Sequence, residues 1–164
     1  MISFERGGTR FNYRVAGVCI HEGAVLLNRA GDHDGWQDSW FLPGGRCEML
    51  EHSPDALRRE FREELGIEVR IERLLWIVEN FFTHDGKEWH SLGLYHQVSL
   101  PEDCIYLEKE RTYSGIEDNG VRLMFRWFLL DSLHETPLYP TFLRDTLAVL
   151  PSTPQHIIHR DERV

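Results

Sequence analysis

The sequence has no long hydrophobic run. No stretch approaches the roughly 20 apolar residues that are needed to span a bilayer. The first residues, MISFERGG, also lack the apolar core of a secretory signal peptide. Cysteine is scarce, since Cys19, Cys47 and Cys104 are odd in number and widely scattered. Three such cysteines suit a reducing compartment better than a disulfide framework or a zinc ribbon. We therefore expect a cytoplasmic protein that makes no membrane contact.

Basic residues are the minority among the charged ones. The chain has 18 Lys and Arg against 27 Asp and Glu, a formal net charge of −9. Binding to a nucleic-acid polymer relies on many basic side chains that replace counterions, so this balance excludes polymer binding driven by bulk charge. A small anionic ligand stays open, provided that a cation mediates its binding.

The organisation of the chain predicts one globular domain and a tail. With 164 residues, 41% of them apolar and 27% charged, the chain has the size and composition of a single ordinary domain. We assign this domain to residues 1–150. The polar segment 151–164 follows a Pro-Ser-Thr-Pro stretch and is predicted to be a loose or partner-docked extension. No internal repeat is present.

Strand signals dominate the pattern. Residues 14–29 contain two apolar runs around His-Glu-Gly, and residues 67–100 contain two runs around Thr-His-Asp-Gly-Lys, so each segment predicts a hairpin. Residues 121–130 predict a further strand, after an acidic connector over 101–120. Residues 141–150 predict a final helix. The fold class is therefore α+β within the broader α/β group, a mixed sheet with helices packed on it.

One central helix is strongly marked. Ser53 is predicted as its N-cap, with Pro54 at the first helical position, and Gly66 as the glycine that ends it. Three apolar residues, Leu57, Phe61 and Leu65, recur at a spacing of four. Residues at this spacing share one face of a helix, so we expect this face to be buried.

Three carboxylates share another stripe of this helix. At about 100° per residue, Glu60, Glu63 and Glu64 fall within about 100° of arc on adjoining turns. Like charges at these spacings repel each other, so the cluster calls for a compensating charge. Ligands that are all oxygen indicate a hard cation, Mg²⁺ or Mn²⁺, rather than zinc. The alternative is a solvated acidic face that is paired with neighbouring arginines.

The spacing around this helix resembles the signature of the Nudix (MutT-type) hydrolases. Nine specified positions over 23 residues are all filled: Gly45, Glu51, Arg59, Glu60, Phe61, Glu63, Glu64, Gly66 and Ile67. The lead-in WFLPGG and the late strand FRWF also look like the family, so the resemblance extends over about residues 12–150. It implies the Nudix fold, a mixed β-sheet sandwiched between α-helices.

We call the segment from Gly45 to Ile67 the box, and the resemblance also implies roles for its residues. Glu60, Glu63 and Glu64 would bind the metal ion, joined by the backbone carbonyl of Gly45. Arg59 would orient a glutamate of the catalytic helix, and Glu51 would brace the loop against that helix. The catalytic residues are then Arg59, Glu60 and Glu63, and a purely structural role stays open for Glu51 and Arg59.

The general base lies in different places in different members of the family. The acidic connector of this chain offers Glu102, Glu108, Glu110, Glu117 and Asp118. Glu117 is favoured because it stands shortly before the last strand. A solvated loop charge is the alternative for each of them.

Two candidate substrate-binding residues lie outside the box. Arg29 follows a predicted strand at a position where the family often has an arginine that contacts phosphate. Phe81 lies close to the turn at Gly86 and could stack on a nucleobase. A surface arginine and a core aromatic are the respective alternatives. His84, His90 and His96 are interpreted as pocket or surface histidines.

The implied activity is metal-dependent hydrolysis of a diphosphate linkage in a nucleoside diphosphate derivative, either a nucleoside triphosphate or a nucleotide-sugar. The partner is then a small-molecule nucleotide, and a homodimer stays open. A catalytically silent nucleotide sensor or scaffold is the alternative function. An isomerase on the same fold would need a catalytic cysteine arrangement that the sequence does not display.

Overall fold

Strands and one long helix account for most of the regular structure. The computed structural model describes residues 1–30, 38–116 and 120–162. Within these ranges the strands are β1 (Ser3–Arg6), β2 (Thr9–Val18), β3 (Ile20–His21), β4 (Ala24–Ala30), β5 (Arg70–His84), β6 (Lys87–Ser99), β7 (Thr112–Ile116), β8 (Arg122–Leu129) and β9 (Gln155–Arg160). The helices are α1 (Ser53–Leu65) and α2 (Leu143–Thr146), with 3₁₀ turns over Ile105–Leu107 and Leu130–Glu135.

The strands divide into two sheets. The larger has the order β1-β2-β6-β5-β9, and the smaller has the order β3-β4-β8-β7. β2 pairs with β6 in parallel and β5 pairs with β9 in parallel, whereas the other pairs are antiparallel. The predicted mixed α+β class is confirmed. None of the helices in the described part of the chain is long and apolar enough to cross a membrane.

Two apolar clusters hold helices on opposite sides of the strands. On one side, Leu57 and Phe61 of α1 pack with Val15 and Phe125. On the other side, Ala16 and the neighbouring strands pack against the segments around Leu133 and Leu143. Successive residues of a strand point to opposite faces, so Val15 and Ala16 belong to different clusters. We call the two sides of the larger sheet the α1 face and the α2 face.

The predicted hairpins form, with one rearrangement. β5 and β6 meet at Asp85 and Gly86, whose φ angles of 49° and 71° are typical of a two-residue hairpin turn. The run 15–20, by contrast, does not stay in one sheet. Its first part is β2 of the larger sheet, and β3 turns at Glu22 and Gly23 to pair with β4 of the smaller one.

The helix α1 matches its prediction except at its first residue. Gly66 has φ 68° and ends the helix, and its N–H donates to the carbonyl of Arg62. The N-cap, however, is His52, so the prediction for Ser53 is wrong by one position. The Ser53 hydroxyl lies 3.2 Å from Nε2 of His96 instead, which ties the start of α1 to β6.

Three predictions for the second half of the chain need correction. The connector 101–120 contains β7, which pairs with β8. The helix predicted over 141–150 is confined to Leu143–Thr146, because the residues before it close turns in which each N–H bonds the carbonyl three residues back, as Leu143 does to Pro140 and Arg144 to Thr141. Residues 155–160 of the predicted loose extension are β9, which pairs with the backbone groups of the β5 edge.

Candidate active site

The guanidinium of Arg59 is the hub of the site at the middle of α1. Its Nε and Nη2 donate to the two carboxylate oxygens of Glu51, at 2.8 and 3.0 Å. Its Nη1 donates to Glu60 at 2.8 Å and to Glu63 at 3.0 Å. Nη2 also donates to the carbonyl of Arg46 at 3.1 Å. One planar cation therefore holds three carboxylates and a loop carbonyl in fixed positions, as its rigid fork of donors allows.

Glu51 fixes the loop that precedes the helix. One of its oxygens accepts the backbone N–H of Glu48 at 2.9 Å, while both oxygens accept the fork of Arg59. The carboxylate thus joins the start of the loop to the middle of the helix. This is the geometry expected of a brace, the role predicted for Glu51.

Gly45 lies directly against the carboxylate of Glu60. A Cβ atom at Gly45 would clash with both oxygens of that carboxylate, so a larger residue here would displace the Glu60 carboxylate. The Gly45 carbonyl accepts the N–H of Val15 at 2.8 Å, which aligns residues 43–47 along the edge of β2. A carbonyl oxygen has two lone pairs, so one acceptor direction of Gly45 remains.

The electrostatics of the site follow from its partial burial. Burial raises the pKa of the Glu60 carboxyl above its ordinary value, and the neighbouring Glu63 adds to this, while Arg59 and Arg14 oppose it. The bidentate contact with Glu51 holds the pKa of Arg59 above its ordinary value, so that it stays charged. Glu64 is only 6% exposed, which excludes a solvated acidic face at this position.

The predicted metal ligands, all of which are described, do not converge as a ready-made cluster. Among the residues that the structure describes, no three His, Cys, Asp or Glu side chains converge as a metal site. Arg59 lies between the carboxylates of Glu60 and Glu63 and neutralises them. The chemistry of the donors nevertheless fits a hard divalent cation, because the donors are carboxylate oxygens and the Glu60 carboxylate lies against the backbone of Gly45.

Two of the other predicted site residues, Arg29 and Phe81, already have partners within the protein. Arg29 donates to Asp38 at 3.3 Å and lies over the ring of Trp40, 5.3 Å from its centroid. Phe81 is stacked on His90 with centroids 4.4 Å apart, and the guanidinium of Arg160 lies 5.3 Å from the same ring. These contacts do not favour Phe81 as a platform for a nucleobase. Glu117, the predicted base, lies outside the described residues.

Sequence reasoning missed one charged residue near the box. Arg14 on β2 acts electrostatically on Glu60, and its Nε is shielded from solvent with no hydrogen-bond partner among the described residues. The signal was available in the sequence, because Arg10, Asn12 and Arg14 alternate with aromatic residues along β2 and therefore share one face.

The buried thiols carry no nucleophilic chemistry. Burial raises the pKa of Cys19 to about 12 and that of Cys47 to about 11. Both remain protonated near neutral pH, and the thiolate is the reactive form. The site described above is therefore one of carboxylates and arginines, which disfavours an isomerase that depends on either cysteine.

The amino-acid sequence is similar to those of two known proteins. It is 33% identical over 99 residues to the low-salt glycan biosynthesis protein Agl8 of Haloferax volcanii, covering 58% of this chain and 63% of that protein. It is 42% identical over 94 residues to the nucleoside triphosphatase NudI of Escherichia fergusonii, covering 56% of this chain and 67% of that protein. The chain thus spans about two thirds or less of the length of these curated relatives.

The fold is shared with a solved structure. The MutT protein of Bacillus halodurans superimposes with a TM-score of 0.58 at 18% identity, covering 90% of this chain and 89% of that one. The profile of the NUDIX domain family matches residues 11–148, most of the chain, and includes the whole box around α1. This protein is a member of the NUDIX family.

Proposed function

We propose that this protein is a divalent-metal-dependent pyrophosphohydrolase. It cleaves a diphosphate linkage in a nucleoside diphosphate derivative, either a nucleoside triphosphate or a nucleotide-sugar. The observation that carries the proposal is the contact network of Arg59, which aligns the Glu60 and Glu63 carboxylates beside Gly45. The name of NudI, a nucleoside triphosphatase, supports the same substrate class. A cytoplasmic location and a small-molecule partner belong to this proposal.

The residues of the box have two roles in this proposal, metal binding and orientation of the metal-binding carboxylates. Glu60, Glu63, Glu64 and the Gly45 carbonyl would hold Mg²⁺ or Mn²⁺. When bound, such an ion supplies charge neutralisation of the diphosphate and lowers the pKa of water. Arg59 orients the two carboxylates that it contacts.

Positive charge for the substrate comes from outside the box. The net charge of −9 would repel a diphosphate, so local cations are required. Arg29 and Arg14 supply them, Arg29 near Trp40 and Arg14 near Glu60. Glu117 is our candidate for the general base that accepts the proton of the attacking water.

A substrate screen tests the proposal. Phosphate release is measured over a panel of nucleoside triphosphates and nucleotide-sugars, with Mg²⁺ or with excess chelator, and with or without added phosphatase. We expect Mg²⁺-dependent turnover that Glu63→Gln reduces by orders of magnitude while the fold is retained. Tight nucleotide binding without turnover of any substrate would instead identify a sensor or scaffold. Turnover that persists in chelator, on metal-free protein, would overturn the metal dependence.

A further inference from the structure

A second group of polar residues lies on the α2 face of the larger sheet, beyond the box. The register places Asn12 of β2 beside Ser91 of β6, and Ser91 beside Asn80 of β5. Asn12, Ser91 and Asn80 are 6%, 5% and 7% exposed. We call these three residues the polar row. Asn12 and Asn80 are separated by one strand, so their backbones are about 10 Å apart.

Hydrogen-bonding groups along this face lack partners. The side-chain oxygens of Asn12 and Asn80, Nε of Arg14 and the indole N–H of Trp89 are all shielded from solvent without a hydrogen-bond partner among the described residues. Arg14 and Trp89 each stand two residues from the polar row on their own strands, so all four groups belong to one face. A buried polar group that is left unpaired is costly, so native proteins rarely keep one without a partner. Four of them on one face indicate a site that a ligand completes.

The orientation of the Asn80 amide is determined by the end of the chain. Its Nδ2 donates to Asp161 at 3.2 Å, and a carboxylate can only accept, so the Asn80 oxygen must be the unpaired atom. Asp161 is itself held by the backbone N–H of Thr141 at 3.0 Å and its hydroxyl at 2.7 Å, with His159 at 3.0 Å. Burial alone would raise the pKa of Asp161, but these hydrogen bonds outweigh burial and lower it. Asp161 therefore stays an acceptor near neutral pH.

Aromatic rings bound the polar row on one side. Trp89 and Phe82 are stacked with centroids 5.6 Å apart, and Arg10 lies over Trp89 at 4.7 Å. On the other side the ring of Tyr95 lies across Gly93, because a Cβ atom there would clash with it. Arg14, next to Gly93 in the register, also acts electrostatically on Glu60 of the box.

We propose that the polar row, with Arg14, is a subsite for the uncharged hydrogen-bonding group of the substrate. This inference rests on the proposed function and adds the part of the substrate that is recognised away from the diphosphate. Arg14 contacts a phosphate oxygen, and the oxygens of Asn12 and Asn80 accept hydrogen bonds from a nucleobase or a sugar. Asp161 is a positioning residue that presents the Asn80 oxygen. It follows the strand β9, beyond the residues that match the family profile.

Competition between ligands with and without the uncharged group tests this assignment. The best substrate of the screen gives KM and kcat, and inorganic tripolyphosphate, which has the anhydride linkages but no base or sugar, gives an inhibition constant. For Asn80→Ala and Asn12→Ala we expect KM to rise about 3- to 10-fold, as for one lost hydrogen bond. We expect kcat within about 2-fold and unchanged tripolyphosphate inhibition. Arg14→Gln should weaken both ligands. Asp161→Asn should raise KM in the same way as Asn80→Ala.

Controls separate the possible failures. Thr136→Val is the control: it removes a buried hydroxyl that is remote from the row in sequence and donates to the Ser132 carbonyl, and it should leave KM unchanged. If Asn80→Ala does not fold, Asn12→Ala at the other end of the row carries the test. Two results in the asparagine variants would overturn the subsite: an unchanged KM, or equal weakening of substrate and tripolyphosphate. A wild-type protein without turnover would refute the proposed function instead. If the asparagine variants raise KM for triphosphates and nucleotide-sugars alike, the nucleoside is bound in the subsite; if they raise it only for nucleotide-sugars, the terminal sugar is bound there.

Discussion

Removal of the Arg59 side chain tests the central contact network. The variant Arg59→Met keeps most of the apolar stem but loses five hydrogen bonds to Glu51, Glu60, Glu63 and the Arg46 carbonyl. The three carboxylates left behind are 17%, 14% and 28% exposed, so they are largely desolvated. Removing one partner of a buried ion pair costs about 3–5 kcal/mol. Since this site is partly open to solvent, we expect a loss of about 2–4 kcal/mol.

The assay is urea unfolding of the metal-free protein near pH 7, with thermal melting alongside. For a domain of this size, the loss corresponds to a decrease in Tm of about 5–15 °C. Arg58→Met is the matched control, because Arg58 lies on the same helix but forms an exposed pair with Asp55 at 2.8 Å. That pair is worth about 0.5 kcal/mol or less. A loss for Arg59→Met within about 0.5 kcal/mol of the control would refute the view of Arg59 as a hub.

The same variant has a defined dependence on pH. The pKa of Glu60 is already raised in the folded protein, and the loss of Arg59 should raise it further. A carboxyl with a raised folded-state pKa binds more protons when folded than when unfolded, so stability falls as pH rises through that pKa. The deficit of Arg59→Met relative to wild type should therefore be smaller at pH 5 than at pH 8. A deficit that does not shrink at pH 5 would contradict this account of Glu60.

Three further predictions follow from particular contacts. Glu64→Gln removes a buried carboxylate, so the metal-free variant should be equally stable or up to about 1 kcal/mol more stable. Addition of Mg²⁺ should raise the Tm of the wild type, and it should raise the Tm of the variant much less. NaCl of matched ionic strength should not reproduce this difference. Gly45→Ala forces the Glu60 carboxylate to move, so it should cost about 1 kcal/mol or less in urea unfolding while most of the activity is lost. Burial lowers the pKa of His96, so the folded protein favours its neutral form. The stability that this form contributes is present above pH 6.5 and is lost as the pH falls below 6.5. The free energy of unfolding of His96→Gln should therefore fall less than that of the wild type between pH 7 and pH 5.

The sequence alone identified the features that depend on local chemistry. The spacing of Leu57 and Phe61 predicted the buried face of α1, and Gly66 predicted its end, because helical periodicity and a left-handed C-cap are properties of a short segment. The roles of Glu51 and Arg59 came from the family resemblance, and their direct contact was found only in the structure, although the two residues lie only eight positions apart. The β5–β6 hairpin was predicted from the sequence, since its turn chemistry is local.

Only the tertiary structure decided which distant segments meet. Nothing in residues 155–160 indicates that they pair in parallel with β5, because a strand that completes a sheet edge depends on the partner and not on its own pattern. The contact of Asn80 with Asp161 joins residues 81 positions apart. The polar row likewise crosses three strands whose order in the sheet differs from their order in the chain. The box could be predicted because its groups are neighbours in sequence, whereas the polar row became visible only when β2, β6 and β5 were brought side by side.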